Sequence, residues 1–538
     1  MESPASREPT DDLNRRLAEL NQIGVALSQE KDLNRLLETI LIAAKKITNA
    51  DGGTLYRRPP GKDILTFETI RNDTLKVAMG GTTGTKPPFP AIQLRDNRGR
   101  ENLSMVVAYS VLKDKTVNIA DAYQEKGFDF SGTKAFDRHT GYHSTSFLTG
   151  PMKNHEDEII GVLQLINARD RTTGATVAFS ETDQRLAESL ASQAAVALTN
   201  RLLISQLENL FESFVSLLNK AIDEKSPYTA GHCHRVPILT MALAEAVHET
   251  QQGPLALWHM TDLDRYELKI AALLHDCGKV TTPVHVVDKS TKLQTLFDRI
   301  ALIDTRFEVI KRDAEIAALK AGGSQLSALS AQLQAIDDDR AFLRKANIGG
   351  EAMSPADQER VKTIAKKYRW RDPSGAEVDF LSAEEADNLA IRAGTLNAAE
   401  RQIINHHVTV TIQMLEALPW PRHLINVPEY AGGHHERIDG KGYPRGLKGD
   451  QMSVQARIMG IADIFEALTA RDRPYKQGKT LTESLHILGR MRLDGHIDPD
   501  LFDIFVRNRV YERYAKEFMN PEQIDVVDVT KIPGYSGD

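Results

Sequence analysis

Ile270-Ala271-Ala272-Leu273-Leu274-His275-Asp276-Cys277-Gly278-Lys279 reads as an apolar helix that runs into a histidine, an aspartate and a glycine. A carboxylate directly after so apolar a run is costly to bury without a partner. An ordinary buried His-Asp hydrogen bond would supply one. A metal would supply another, because one carboxylate has two oxygens to bridge two cations while the adjacent imidazole gives a nitrogen ligand. Lys279 lies four residues after His275 and three after Asp276, so it projects from the same helix face, where an ammonium can hold a phosphate oxygen. Taken alone, the decapeptide leaves both readings open.

The rest of the C-terminal half weighs on that choice. Of 16 histidines, all but His139, His143 and His155 lie at or after His232, several as adjacent pairs. His406-His407 follows the helix start Leu396-Asn397-Ala398-Ala399-Glu400. His434-His435-Glu436-Arg437 precedes the tight turn Asp439-Gly440-Lys441-Gly442-Tyr443-Pro444. Asp463 stands inside the apolar run Ile458-Met459-Gly460-Ile461-Ala462-Asp463-Ile464-Phe465. One buried carboxylate is ordinary. Two, with two histidine pairs, need a shared sink for charge and lone pairs, and divalent metals provide it. Two such cations activate a water and clamp a phosphate for in-line attack, with no side-chain nucleophile. Cys277, two residues from His275 on a helix, points elsewhere, and both it and Cys233 read as small buried hydrophobes rather than ligands.

His275-Asp276-Cys277-Gly278-Lys279, His434-His435-Glu436-Arg437, Asp439-Gly440-Lys441-Gly442-Tyr443-Pro444 and the later Ala467-Leu468-Thr469 with Arg473-Pro474-Tyr475-Lys476 together resemble an HD-GYP domain. That is a branch of the helical HD metal-dependent phosphohydrolases, and the likeness runs over about 226–505. The resemblance implies hydrolysis of cyclic di-GMP to pGpG or GMP, with two divalent metal ions, iron or manganese. A related cyclic dinucleotide such as cyclic GMP-AMP is the alternative substrate, and a catalytically weak receptor or scaffold the alternative class. By position it implies His232, His275, Asp276, His407, His434, His435 and Asp463 as metal ligands, with Asp276 bridging and, with Lys279, catalytic. Lys279, Arg473 and Lys476 would contact phosphates, and Gly442, Tyr443 and Pro444 would shape the substrate pocket. His407 is preferred to His406 by the family's spacing to Met414-Leu415. Members with a third metal carry a glutamate where this chain has Tyr228, so two metals are expected. Glu466 stands where the family usually has aspartate, which shifts a supporting role by one methylene.

Upstream, residues 12–48 read as helix, and 53–176 mix strand-like runs with turns, including Thr54-Leu55-Tyr56, Ile64-Leu65-Thr66-Phe67 and the stronger strand from Ile159 to Ile166. His155-Glu156-Asp157-Glu158 fits a hairpin turn. This α+β domain, 17–178, resembles a GAF domain through Ala135-Phe136-Asp137, Gly141-Tyr142, Gly150-Pro151, Gly161 to Asn167, Phe179 and Asp183. Ala168 and Gln184 replace the lysine and glutamate of the cyclic-nucleotide signature, so its lysine–aspartate lock is missing. A small-molecule ligand of unknown kind is expected. His139, His143 and His155 read as solvated loop residues rather than metal or haem ligands.

Residues 179–223 follow a near capping box, Ser180 with Asp183, and lack proline and glycine. They read as one connector helix that pairs with a copy of itself, making a homodimer, or as two shorter helices. Residues 1–16 are expected to be a disordered tail. Residues 224–538 form the all-α HD-type unit, interrupted at about 296–395 by an insertion read as a helical hairpin, with a turn or small hairpin at Tyr368-Arg369-Trp370-Arg371-Asp372-Pro373.

Bulk composition agrees with several soluble domains. The 538 residues exceed one core, with 41% hydrophobic and 26% charged residues. A formal charge of -7 argues against long nucleic acid. The two cysteines suit a reduced, cytoplasmic setting. No apolar run approaches the roughly 18 residues of a membrane helix, so no membrane partner is expected.

Overall fold

A computed structural model of the chain describes residues 7–226, 231–321, 326–349, 352–470, 478–535 and 537. It divides into two compact units, Met1–Phe211 and Glu212–Asp538.

In the first unit, α1 (Arg7–Gln29) and α2 (Leu33–Thr48) precede β1 (Ala50–Arg57), β2 (Ile64–Asn72), β3 (Val77–Gly80) and β4 (Ile92–Gln93). Then come α3 (Val106–Lys113), β5 (Val117–Ile119), α4 (Ser131–Thr140), β6 (Phe147–Lys153), β7 (Ile159–Arg169), β8 (Thr176–Val177) and α5 (Glu181–Lys225). The sheet is antiparallel, ordered β3-β2-β1-β7-β6-β5, with Leu55 opposite Leu163 and Gly53 opposite Leu165. Period-two alternation gives it two apolar faces. Leu55, Leu163 and Leu165 pack with Leu41 of α2 and Leu190 and Ala194 of α5, while Tyr56 and Val162 pack with Val107 and Val111 of α3. The turn between β6 and β7 is the expected hairpin, closed by Asn154 N–H to Glu158 O at 2.9 Å.

Two expectations fail at the N-terminus. The helix read over 12–48 is broken, because Asp32 caps α2 by accepting from Arg35 N at 2.7 Å and so ends the run from α1. The tail expected over 1–16 is helical from Arg7. Arg16 explains the order: it is buried, donates to Ile47 O at 2.8 Å and pairs with Asp183. Asp183 also accepts from Ser180 N, completing the capping pair read in the sequence.

α5 is continuous over 45 residues. It is more than the connector expected over 179–223, since Leu190, Ala194 and Leu198 belong to the first unit's core while Val215 and Ile222 are buried in the second. Leu203, Leu207, Leu210, Phe214 and Leu217 remain 49–69% exposed.

The second unit holds α6 (His232–His248), α7 (Asp262–Leu274), a 3-10 turn (Cys277–Thr281) and α8 (Val284–Val287). After the insertion follow α13 (Ala398–Glu416), α14 (Val427–Gly432), α15 (Val454–Thr469), α16 (Leu481–Leu493), α17 (Pro499–Arg507) and α18 (Val510–Phe518). The insertion comprises α9 (Ile300–Lys320), α10 (Leu326–Asn347), α11 (Pro355–Lys367), the hairpin β9 (Arg369–Arg371) with β10 (Glu377–Asp379), and α12 (Ala383–Leu389). It is therefore more than a helical hairpin. Ile303, Phe307, Ile336, Leu343, Ile364 and Phe380 give it a core of its own. A pair of helices alone buries one seam each; α11 and α12 cover what α9 and α10 leave open.

Candidate metal centre

Five segments meet at one point of the second unit. α7 ends at Leu274, so His275 is its C-cap and Asp276 lies in the break before the 3-10 turn, not inside a helix. That turn presses on α13 so closely that a Cβ on Gly278 would lie 2.1 Å from His407 O, which only glycine permits. His232 opens α6, His407 is on α13, His434 and His435 follow α14, and Asp463 is on α15. His275, Asp276, His407, His434, His232 and Asp463 are buried, whereas His406 is exposed.

Asp276 stands between two groups of histidines. Its Oδ2 is 3.1 Å from His232 Nε2 and 3.3 Å from His275 Nε2. Its Oδ1 is 3.1 Å from His407 Nε2 and 4.0 Å from His434 Nε2. Asp463 Oδ1 is 3.2 Å from His232 Nε2 and 4.0 Å from His275 Nε2. Three overlapping sets have ligand atoms within 4.8 Å of one another: His407, His434 and His435; His232, His275 and Asp463; His275, Asp276 and His434.

The outer ring nitrogens decide what the inner ones offer. Nδ1 of His275, His407 and His434 donates to the carbonyls of Ala272, Ile404 and Ala431. A carbonyl only accepts, so Nδ1 carries the proton and a neutral ring turns its Nε2 lone pair inward. Asp276 Oδ1, His407 Nε2 and His434 Nε2 are buried and have no hydrogen-bond partner among the described residues. Lone pairs facing lone pairs across 3.1 Å repel unless a cation sits among them. The donor set thus fits divalent metal ions. His232 is held differently: its Nδ1 is 2.5 Å from Glu466 Oε2, and Arg235 Nε donates to Glu466 Oε1 at 2.7 Å.

Electrostatics reinforce the division. Burial pushes His434 well below the ordinary imidazole range and His435 to about 4, so both rings are neutral near neutrality. Burial alone would raise Asp276 and Asp463. Lys279 and His275 around the first, and His232, His435 and His434 around the second, hold both low. Burial opposes a charge on His232, but Glu466, Asp276 and Asp463 outweigh it and raise its pKa well above the usual value. Burial drives the Cys233 and Cys277 thiols up to about 12 and about 11, leaving them protonated and poor ligands.

Lys279 reaches Asp276 Oδ2 from the 3-10 turn rather than from the helix face expected. Tyr443 stacks on His435 at 4.9 Å and 19°. The loop carrying Gly442, Tyr443 and Pro444 is pinned by Glu436, which accepts from Arg445 N at 2.7 Å and Leu447 N at 2.9 Å. A Cβ on Gly442 would lie 2.4 Å from Arg437 N. A cavity of about 210 Å³ opens beside the cluster, lined among others by Lys279, Asn405, His407, His435, Tyr443 and Asp463. Arg473, Lys476 and Tyr228 lie outside the described residues. Arg235 and Asn405 were not singled out in the sequence. Neither sits in a motif, and only the fold brings them to the site. His139, His143 and His155 are exposed and belong to none of the metal-competent groups found among the described residues.

Residues 32–198 match the GAF domain family, and 229–341 and 357–501 match HD domain families. The chain carries a GAF domain followed by an HD domain. Over 125 residues it is 41% identical to 3'3'-cGAMP-specific phosphodiesterase 1 of Vibrio cholerae serotype O1, covering 23% of this chain and 27% of that protein. Two more proteins of the same organism match: 3'3'-cGAMP-specific phosphodiesterase 3, 26% identical over 54% of this chain and 37% of that protein, and a probable cyclic di-GMP phosphodiesterase, 35% identical over 25% and 32%. The match therefore spans well under half the length of each of these relatives. No helix among the described residues is long and apolar enough to cross a membrane.

Proposed function

We propose that the HD domain is a metal-dependent phosphodiesterase that opens a cyclic dinucleotide to a linear product, with cyclic di-GMP as first substrate and cyclic GMP-AMP as the closest competitor. One observation carries the reading. Asp276 turns one oxygen to His232 and His275 and the other toward His407 and His434, and the lone pairs on the second side have no partner. His232, His275 and Asp463 would hold one divalent ion and His407, His434 and His435 a second, with one Asp276 oxygen turned toward each group. Imidazoles and carboxylates without thiolate suit iron or manganese.

The ions, when bound, supply Lewis acidity to the scissile phosphate and the attacking water. The chain's own groups do the rest. Lys279 at the cavity wall places an ammonium where a phosphate oxygen can exchange for its contact with Asp276. Tyr443, stacked on His435, gives the cavity an aromatic wall for a base. The backbone carbonyls hold the rings of His275, His407 and His434 in one tautomer and Glu466 fixes the orientation of His232, so the rings need no reorientation on binding. Arg473 and Lys476 remain proposed phosphate contacts on family position alone.

The GAF domain is proposed as the input for a small-molecule ligand, in a cytoplasmic protein. A homodimer through α5 is supported by Leu203, Leu207, Leu210, Phe214 and Leu217, which alternate four and three residues apart and stay exposed. Leu207→Glu with Leu210→Glu should turn a dimer into a monomer by light scattering.

The deciding experiment is to load the reduced chain with Fe²⁺ or Mn²⁺, measure bound metal, and follow a cyclic-dinucleotide panel by mass spectrometry. Linear product from the wild type, with both metal and product lost in Asp276→Ala, is the expected result. A metal-replete chain that opens no member of the panel sinks the reading.

A further inference from the structure

The last turn of α5 reaches both sides of the metal cluster. The Asp223 carboxylate lies within reach of the backbone N–H of Gly231, the residue that leads into His232, and its Oδ1 is buried with no other partner among the described residues. Lys225 Nζ donates to the carbonyl oxygen of Lys279 at 3.2 Å and to that of Val280. Ser226 Oγ donates to Asp288, just past α8. Between these polar contacts, Ile222 and the Lys225 stem close on Lys279, Val284 and Val287 around a void of about 10 Å³. Glu212, three turns earlier, pairs with Lys269 of α7 at 3.2 Å.

We propose that Asp223 and Lys225 are positioning residues for the site: one helical turn that sets His232 through Gly231 and Lys279 through its own carbonyl. The proposal rests on the phosphodiesterase reading of the cluster. Neither residue belongs to the groups that can hold a metal, so both act through others. A void that holds no more than about one water leaves packing tight enough to pass a shift on rather than absorb it. A hydrogen-bonded helix moves as a rod, so a shift of α5 along or about its axis moves the two contacts together. Such a shift would displace a metal-side histidine and a phosphate-side lysine in one step.

The test uses the full-length chain, depleted of metal and then titrated with Co²⁺ alone, with segment-resolved hydrogen exchange beside it. Asp223→Ala should weaken Co²⁺ binding about tenfold, the scale for groups that orient a ligand, and speed exchange over 231–236. Asp223→Asn keeps an acceptor for Gly231 N–H and should restore both. Lys225→Met keeps the stem and loses the ammonium. It should speed exchange over 277–282 about tenfold and raise KM for cyclic di-GMP more than it lowers kcat, with Co²⁺ affinity nearly unchanged. Exchange and Co²⁺ affinity within about twofold of wild type in both Asp223→Ala and Lys225→Met would overturn the proposal. So would faster exchange spread over the whole helical unit, which marks plain loss of stability. If exchange and Co²⁺ binding change as expected but the wild type opens no cyclic dinucleotide, the clamp stands and the phosphodiesterase reading falls.

Discussion

The candidate metal centre and the insertion are both rich in buried polar groups, and they treat them in opposite ways. In the insertion, every acidic group that matters finds a cation. Glu385 takes Arg306 at 2.7 Å, Asp339 takes Arg360, Lys367 and the Tyr368 hydroxyl, and Asp304 takes Arg340 and Arg344. In the metal centre, Asp276 Oδ1, His407 Nε2 and His434 Nε2 crowd together unpaired. Paired charge fixes a shape. Buried lone pairs without a proton donor, on rings kept in place by backbone carbonyls, leave room for a cation. The contrast separates residues that hold the fold from candidates for chemistry without any appeal to motif.

The largest effect that would break this contrast is at Asp276. Asp276→Asn should lower turnover by at least about a thousandfold and release metal, read by elemental analysis, while circular dichroism stays native. Unchanged metal content would mean that the unpaired atoms were not waiting for one. Next comes the paired region: Glu385→Ala strands Arg306 and should cost about 2 kcal/mol in urea unfolding, yet leave metal stoichiometry and kcat within error. A loss of metal there would show that the two regions are not independent.

Acid sharpens the same division, in metal-depleted protein. His435 is pushed from 6.5 to about 4 and His434 well below 6.5, both first by burial. The unfolded chain therefore binds more protons once the pH falls below 6.5, and the stability of the site declines from there down to about 4. For Glu385 burial works upward, but Arg306 and Ser382 hold it below 4.5. Its contribution is present above that value and is lost only as pH falls through its lower folded value. Hydrogen exchange followed by segment should show 431–436 loosening at higher pH than 380–390; the reverse order would count against these assignments. Smallest of all, His406→Ala, on the exposed side of α13, should change stability by less than about 0.5 kcal/mol and leave bound metal alone, unlike His407→Ala.

Much of this was legible in the sequence because the signals are local. The Ser180–Asp183 capping pair, the proline-free run of α5 and the turn before β7 depend on residues a few positions apart. The break between α1 and α2 was missed because one capping side chain, Asp32, outweighed a continuous apolar pattern. The ordered α1 was missed because its anchor, Arg16, finds Asp183 from 167 residues away. The insertion's separate core was missed because α9, α10, α11 and α12 each show only one apolar stripe, and a stripe does not name its partner.

The sequence by itself determined which histidines and carboxylates are candidate ligands, their order along the chain and the helices that carry most of them. Residue type and helical period are written locally, within one turn of backbone. Only the tertiary structure decided which oxygen of Asp276 meets which histidine, that Glu466 orients His232 from 234 residues away, and that Lys225 holds the carbonyl of Lys279. Those facts depend on where distant segments are pressed together by the burial of their apolar faces, and no local pattern encodes that distance.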